Sequence, residues 1–468
     1  MEEKEVVIIG GGPAGYAAAI RVAQLGGKAT LIEKEALGGT CLNRGCIPVK
    51  ALSRAVELID LARNAKEYGI NYKELEVNFP KIMARKDIVV KTMVSGVKLL
   101  LNGNGVEVIE GTGRFLSPSQ LEVQLKNGDK KILTAHKVII ATGSRCEKGF
   151  ANDERVIDTD EALQLETLPE SMLIMGGGFI GLSFATIFSK LGTKVIIVEK
   201  SERILPEIDA EIVSFLEREL KRAKVQVYAK AQVKGIEKAE GGRSVRLDIE
   251  GKEVNLPVQY VLMAEERRVN INDLSLEGVG IKLNDNRGIA VNRRMETNVP
   301  NVFAAGDVTG GQMWANVAFA EGIVAAENAL GKNSEINHAA IPYWTNTLPE
   351  IAGIGMREDE AIAEGYQVKV GRFPFAGNGV ATILGQRAGM IKIISEQKYG
   401  QILGVHLIGP QASNLIAEAG LAMKLEASAE EISSVFHSHP SLSEVFWEAA
   451  RDIMGGAIHF PPTGKSET

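Results

Sequence analysis

Cysteine is scarce in this chain: three in 468 residues, two of them within one stretch, GGTCLNRGCIPVK, residues 38–50. Aromatic residues are few as well, at 5%. No uninterrupted apolar run is long enough to span a bilayer. The opening MEEKEVVIIGGG is acidic and then strand-like, without the basic start and long apolar run of a secretory leader. No basic run stands out and the net charge is −6, so nucleic acid and membrane surfaces are not expected partners. These absences point to a reducing cytoplasm, where structural disulfides are uncommon. A cysteine pair there reads as catalytic or metal-binding rather than as a staple. Zinc usually takes four ligands, and no second cysteine or histidine cluster lies near enough in sequence to supply them. No metal site is expected.

What is present fits an ordinary globular protein. Hydrophobic residues make up 45% and charged residues 24%, enough for a core of normal size. The length suggests about three domains. The N-terminus reads as a β-branched strand, VVIIG, then Gly10, Gly12, Pro13, Ala14 and Gly15, then a helical pattern and a second strand ending at Glu33. The same plan returns at LIMGGGFIG, with Gly176, Gly178 and Gly181 and a strand ending at Glu199. The interval from first glycine to acid is 23 residues in both copies. One such glycine pattern is weak evidence; two with matched strand, helix and acid are strong. The first glycine permits a tight turn, the second lets backbone approach a pyrophosphate, and the third lets helix pack on strand. The phosphates then lie at a helix N-terminus. Glu33 and Glu199 are placed to accept from ribose hydroxyls. A carboxylate there repels a 2′-phosphate, so the second site should prefer NAD to NADP. Two further segments, KVIIATGSR (137–145) and NVFAAGDVTGG (301–311), each run from an apolar strand into a small turn. Taken alone, either could be structural or cofactor-binding.

An ideal helix holds residues five apart with Cα atoms roughly 8–9 Å apart, and a disulfide requires under about 7 Å. Cys41 and Cys46 can bond only if the first helical turn is distorted. Gly45 and Pro48 are the residues that allow it. Such a bond would be strained and readily reduced.

Together, GGTCLNRGCIP, the two fingerprints, ATGS, AAGD and the later HSHPSLSE resemble the FAD-dependent pyridine nucleotide–disulfide oxidoreductases, and within them the dihydrolipoyl dehydrogenase branch. The resemblance runs from about residue 5 to about 460. It implies FAD on the first fingerprint, with Glu33 at its adenosine ribose and Asp307 at its ribityl–pyrophosphate part. Lys34, Gly39, Thr40, Thr142, Gly143, Ser144 and Gly306 complete that cofactor set. NAD would take Gly176, Gly178, Gly181 and Glu199. Cys46 would face the flavin as a thiolate, Cys41 would exchange with substrate, and Lys50 would lie near flavin N5. His439 would be the acid–base, supplied by the other subunit of a homodimer and oriented by Glu444. His437 is read as a surface residue and Cys146 as structural or incidental.

The implied architecture is α/β: two Rossmann-like dinucleotide-binding domains and a C-terminal α+β dimerisation domain. The divisions are 1–148 for FAD, 149–272 for NAD, 273–342 completing the FAD site, and 343–468 for dimerisation. The absence of cysteine after 146 separates the chain from relatives with a C-terminal cysteine pair. The leading reading is oxidation of dihydrolipoyl groups on a carrier domain, of a 2-oxoacid complex or a glycine-cleavage-type protein, with electrons passing to FAD and NAD. Three departures favour an alternative, a lipoyl-binding flavoprotein partner or sensor with weak NAD turnover. Ser183 stands where the family carries a glutamate that pairs with Lys50, which should leave Lys50 without its acid. Glu265-Glu266 stands where relatives have a glycine that passes close to the dinucleotide, and Asn316 replaces a histidine.

Overall fold

The computed structural model describes residues 2–146, 153–265 and 267–461. Its first sheet is built around the strand Glu2–Ile9, whose Val6, Val7, Ile8 and Ile9 are all buried. A strand covered on both faces reads as a continuous apolar run, and this is the signature of a parallel layer. Ala29–Glu33 pairs with it in parallel on one side, and Lys130–Ile140 on the other. Pro13 begins the intervening helix, Pro13–Gln24, where its missing N–H has no cost. That helix buries Ala14, Ala18, Ala19 and Val22. Glu107–Ser117 and Lys130–Ile140 start or end in the parallel layer, and their other halves join Gln120–Leu125 in an antiparallel meander.

The second sheet repeats the plan. Ser171–Met175, the helix Phe179–Leu191 and Lys194–Val198 form its strand–helix–strand unit. The strand order is Gln226–Tyr228, Lys194–Val198, Ser171–Met175, Tyr260–Met263, Val156–Asp158. A meander of Ala231–Ala239, Gly242–Ile249 and Lys252–Val258 accompanies it. The two copies differ at one edge. The first layer receives its edge strand, Val302–Ala304, from far downstream, while the second receives Val156–Asp158 from just upstream of its own glycine turn. The chain therefore passes between the layers twice. A two-stranded antiparallel ribbon, Ser144–Cys146 with Arg267–Val269, joins the two passages.

The last sheet is antiparallel, in the order Tyr343–Thr345, Glu350–Gly355, Ile402–Gly409, Met390–Glu396, Val368–Pro374. Every residue of Ile402–Gly409 is buried. The helices Ala412–Lys424 and Glu444–Ile453 pack on this sheet, the second through Val445, Phe446, Ala449 and Ala450. Among the described residues, no helix is long and apolar enough to cross a membrane.

A buried ionic seam ties the second layer to the last sheet. Lys392 and Asp209 have side chains only 5% exposed and meet at 2.9 Å. Glu358 approaches Lys392 at 2.8 Å and Glu211 at 3.3 Å, and Arg372 bonds both glutamates. Burial alone would raise the Asp209 pKa, but the Lys392 ammonium more than offsets this and holds it below the ordinary value. The stabilisation from a carboxylate with a depressed pKa is complete above its unfolded pKa, near 4, and is lost as pH falls through the lower folded value. Lys392→Ala leaves Asp209 buried without its cation, while Arg372 still holds Glu211 and Glu358. The substitution should destabilise the chain by about 3–5 kcal/mol in denaturant titrations at neutral pH, and the deficit should shrink under strong acid. Equal midpoints for wild type and variant at pH 7 would show that the seam contributes nothing.

Candidate active site

The site grows from the first glycine turn. Gly10 has φ of +107°, and a Cβ there would lie 2.3 Å from the carbonyl oxygen of Ala141. A Cβ on Gly15 would lie 1.7 Å from the Gly10 carbonyl. Only glycine lets turn, helix and neighbouring strand close this tightly. The Gly11 N–H donates to Glu33 Oε2 at 2.6 Å, and the Glu35 N–H to Glu33 Oε1 at 2.7 Å. The second copy reproduces this geometry. Gly176 has φ of +106°, a Cβ on Gly181 would meet the Gly176 carbonyl at 2.0 Å, and Gly177 N–H donates to Glu199 Oε2 at 2.7 Å. Burial would raise the Glu199 pKa, yet the N–H groups of Ser201 and Gly177 bring it below its ordinary value.

The cysteine stretch seats on the first turn. Gly38 and Gly39 both have positive φ, and a Cβ on Gly39 would come within 2.6 Å of the Gly12 Cα. Asn43 Nδ2 donates to the carbonyls of Gly39 and Leu37. The helix then breaks. Gly39–Arg44 and Cys46–Asn64 are separate helices divided by Gly45, whose φ and ψ are −133° and −110°. The distortion expected from Gly45 is thus present, and Val49 N–H donating to the Gly45 carbonyl restarts the helix behind Pro48.

Cys41 and Cys46 are free thiols here, each hydrogen-bonded to the other. The shared hydrogen bond drives their pKa values apart. It lowers Cys46 below the ordinary thiol value, against burial and the Asp307 charge, and with help from backbone N–H and the Arg267 guanidinium. Cys41 rises for the same reason, with burial and the Cys46 charge adding to it. The shifts favour Cys46 over Cys41 as the sulfur that ionises first.

These sulfurs lie on the wall of a cavity of about 740 Å³. Gly10, Gly12, Pro13, Ala14, Glu33 and Lys34 line one end. Gly39, Thr40, Thr142, Gly143, Ser144, Gly306 and Asp307 line its middle, and Phe179, Ser183 and Trp344 its far wall. Gly15 lies behind the turn rather than on the cavity surface. Gly176, Gly178, Gly181 and Glu199 form their own turn in the second layer, outside this cavity. His439 and Glu444 are also elsewhere. His439 Nδ1 bonds Glu444 Oε1 at 2.8 Å, and Glu444 Oε2 accepts from the Ser441 N–H at 2.8 Å. Burial would raise the Glu444 pKa, but these bonds hold it below the ordinary value. The His439 side chain is 80% exposed.

Several participants gave no sequence signal strong enough to name them. Arg267 clasps two segments: its Nε donates to Ser144 Oγ at 2.9 Å, its Nη2 to the Ser144 carbonyl and Thr40 Oγ1, and its Nη1 to Cys146 Sγ at 3.6 Å. Cys146, read from the sequence as structural or incidental, lines the same cavity. Tyr16 is pushed up to about 12 by burial and by the two cysteines it faces. Glu321 accepts from the Gly306 N–H and bonds His338, bracing the Gly306-Asp307 turn. Ser144 Oγ donates to Asp307.

Three expectations need correction. His437 is not a surface histidine: its side chain is 6% exposed and bonded to Glu418 Oε1 at 2.8 Å, which raises its pKa. Lys50 is not left without an acid. It is ion-paired to Glu350 and lies over the Trp344 ring, 5.1 Å from the centroid. Glu265 is not a bare negative charge, because Lys200 pairs with it at 2.9 Å. Glu266 lies outside the described residues. Asn316 donates to the Pro342 carbonyl at 3.2 Å.

The cavity fits the adenine dinucleotide that the first fingerprint implies. Glycine excludes side chains where the pyrophosphate would approach, and Asn270 leaves a buried Oδ1 without a partner on the cavity lining. Comparison with known proteins agrees. The chain is 40% identical over 472 residues to a dihydrolipoyl dehydrogenase of Bacillus subtilis, covering 98% of this chain and 99% of that one. It is 41% identical to the dihydrolipoyl dehydrogenase of Thermus scotoductus, with 98% and 99% covered. Among solved structures, LpdA from Mycobacterium tuberculosis superposes with a TM-score of 0.90 at 28% identity, over 96% of this chain and 100% of that one. The Cu(II) complex of the HOCl-induced flavoprotein disulfide reductase RclA of Escherichia coli gives 0.88 at 26%, over 96% and 99%. The family model for pyridine nucleotide-disulphide oxidoreductases matches residues 4–322 and that for their dimerisation domain residues 341–450, so the chain belongs to the pyridine nucleotide–disulphide oxidoreductases.

Proposed function

We propose that this chain is a dihydrolipoyl dehydrogenase, a cytoplasmic homodimer oxidising dihydrolipoyl groups carried on a protein domain and passing the electrons to NAD. The observation that carries the reading is the Cys41–Cys46 pair, split by Gly45 and set on the wall of the cavity that the first glycine turn opens. Residues 1–148 and 273–342 would hold FAD through Gly10, Gly12, Glu33, Lys34, Thr142 and Asp307, and residues 149–272 would hold NAD through Gly176, Gly178, Gly181 and Glu199. Residues 343–468 would form the subunit interface. When bound, FAD supplies a two-electron acceptor that hands the pair to NAD as a hydride.

The protein's own groups do the sulfur chemistry. In the oxidised pair, one substrate thiolate attacks Cys41, forming a mixed disulfide and expelling Cys46 as thiolate. That departure suits the sulfur with the lower pKa. The second substrate thiol then attacks the substrate sulfur of the mixed disulfide. The lipoyl ring closes and Cys41 leaves as a thiol. Two electrons and two protons have passed from substrate to protein. His439 of the partner subunit takes protons from the substrate thiols, with Glu444 fixing the ring through Nδ1. Histidine suits the task because its ordinary pKa lies near neutrality.

The sensor reading is weakened at two of its grounds, since Glu350 pairs with Lys50 and Lys200 with Glu265; its other grounds, Glu266 and Asn316, are unaffected by these pairs.

With FAD bound, wild type should form NADH from NAD and dihydrolipoamide. His439→Gln should slow this by roughly 10²–10⁴-fold, the usual scale of general acid–base catalysis, with FAD content and dimer intact. An unaltered rate would move the proton-transfer role to another group. A second measurement concerns the reduced protein without substrate. Thiolate absorbance should persist at pH values below the ordinary thiol pKa of about 8.5. It should disappear there in Cys46→Ser but not in Cys146→Ser. Persistence in Cys46→Ser would reverse the assignment of the two sulfurs.

A further inference from the structure

Lys50 lies one helical turn after Cys46, so both side chains project from one face of the helix Cys46–Asn64. An ammonium on a flexible stem needs a partner to hold one orientation, since a free lysine keeps much rotamer freedom. Position 183 does not supply one. Ser183 is buried, donates to the Phe179 carbonyl at 2.7 Å, and lies 3.4 Å from Thr345 Oγ1. The acid comes from the last sheet instead. Glu350 pairs with Lys50 through Oε1, and its Oε2 accepts from the N–H and hydroxyl of Ser413 at 3.0 and 2.8 Å. Ser413 is in the first turn of the helix Ala412–Lys424, where N–H groups and the helix dipole favour an anion. The Glu350 side chain is 9% exposed and that of Lys50 40%. The carboxylate is fixed and the ammonium is held against it, with Trp344 beneath. Trp344 adjoins Thr345, so the Ser183 side and the Glu350 side flank the same wall.

We propose that Glu350 is the positioning residue for Lys50 in this chain. It takes over from the opposite side the acid that position 183 lacks. The orientation of Lys50 then depends on the seating of the dimerisation segment rather than on the NAD-binding half. The proposal rests on the reading above that Lys50 adjoins the flavin.

Two readouts that do not depend on turnover test it. The first is the rate at which an amine-reactive ester acylates Lys50, measured by peptide mass against the chain's other lysines. Glu350→Gln keeps an acceptor for Ser413 but removes the charge. It should speed Lys50 acylation about threefold, the scale of a partly exposed ion pair. The second is the midpoint potential of the bound flavin. It should become more positive in Glu350→Gln, because uncompensated positive charge favours the reduced, electron-rich ring. Glu350→Gln/Ser183→Glu should return both towards wild type. Wild-type acylation and potential in Glu350→Gln, with FAD bound, would overturn the proposal. So would failure of the double variant to restore either, since a merely structural role for Glu350 is not rescued from position 183. Should Glu350→Gln not fold, Ser413→Ala loosens the carboxylate while leaving its charge. It should raise Lys50 acylation to a lesser degree, and no change would overturn the proposal. An enzyme inactive with dihydrolipoamide could still give the acylation result, so failure of the proposed function and failure of this inference are distinguishable.

Discussion

Everything at this site depends on holding two sulfur atoms, five residues apart in sequence, within reach of each other. A regular helix cannot do it. The chain interrupts the helix at Gly45 and then has to keep the two pieces from drifting. The first piece is locked by the Gly38-Gly39 corner lying on Gly12, where backbone meets backbone without side chains between. The second piece runs on for 19 residues and buries Val49, Leu52, Val56 and Ile59. Those side chains share a core with Leu182, Phe184 and Phe188 of the second layer. The separation of the sulfurs is thus set by the first glycine turn on one side and by the second layer's packing on the other.

The electrostatics follow from that closeness. Two half-buried thiols this close cannot both ionise at little cost, because the second charge would face the first. One becomes a hydrogen-bonded thiolate and the other keeps its proton. The Cys46 N–H favours charge on either sulfur, whereas the Arg267 guanidinium lowers the pKa of Cys46. Arg267 acts from the ribbon where the chain crosses between layers. A residue of the inter-layer crossing therefore both clasps the cysteine loop and contributes to lowering the Cys46 pKa.

Much of this was legible in the sequence. The two strand–glycine–helix units were, because a tight turn, a close approach and an acid each demand a residue type at a fixed interval. The helix break was, because Gly45 lies between sulfurs that must meet. The exchange of edge strands was not, since three residues such as Val156–Asp158 carry no periodicity of their own. Partners distant in sequence were invisible too. Glu350 lies 300 residues from Lys50, and nothing in LPEIAG marks that glutamate as an ion-pair acid. Glu418 similarly hid the burial of His437. In each case the error came from reading a charged residue by its local segment, when its partner came from another element: a strand of the last sheet for Lys50 and the helix Ala412–Lys424 for His437.

On the proposed reading, one chain alone is not a complete site. The sulfur pair is assembled by the two dinucleotide layers, whereas His439 is assembled wholly within the last segment. Glu444 begins the helix Glu444–Ile453, accepts from the Ser441 N–H, and fixes the ring at 2.8 Å. None of those contacts reaches the cysteine loop, and His439 stays 80% exposed. An imidazole already oriented by a carboxylate yet left open to solvent is a finished acid–base unit without a substrate on its own chain. On the proposed reading, pairing with a second copy through the dimerisation domain would give that unit a sulfur pair to serve. Phe436, beside the histidine stretch, is fully exposed in the single chain, as apolar surface awaiting a partner would be.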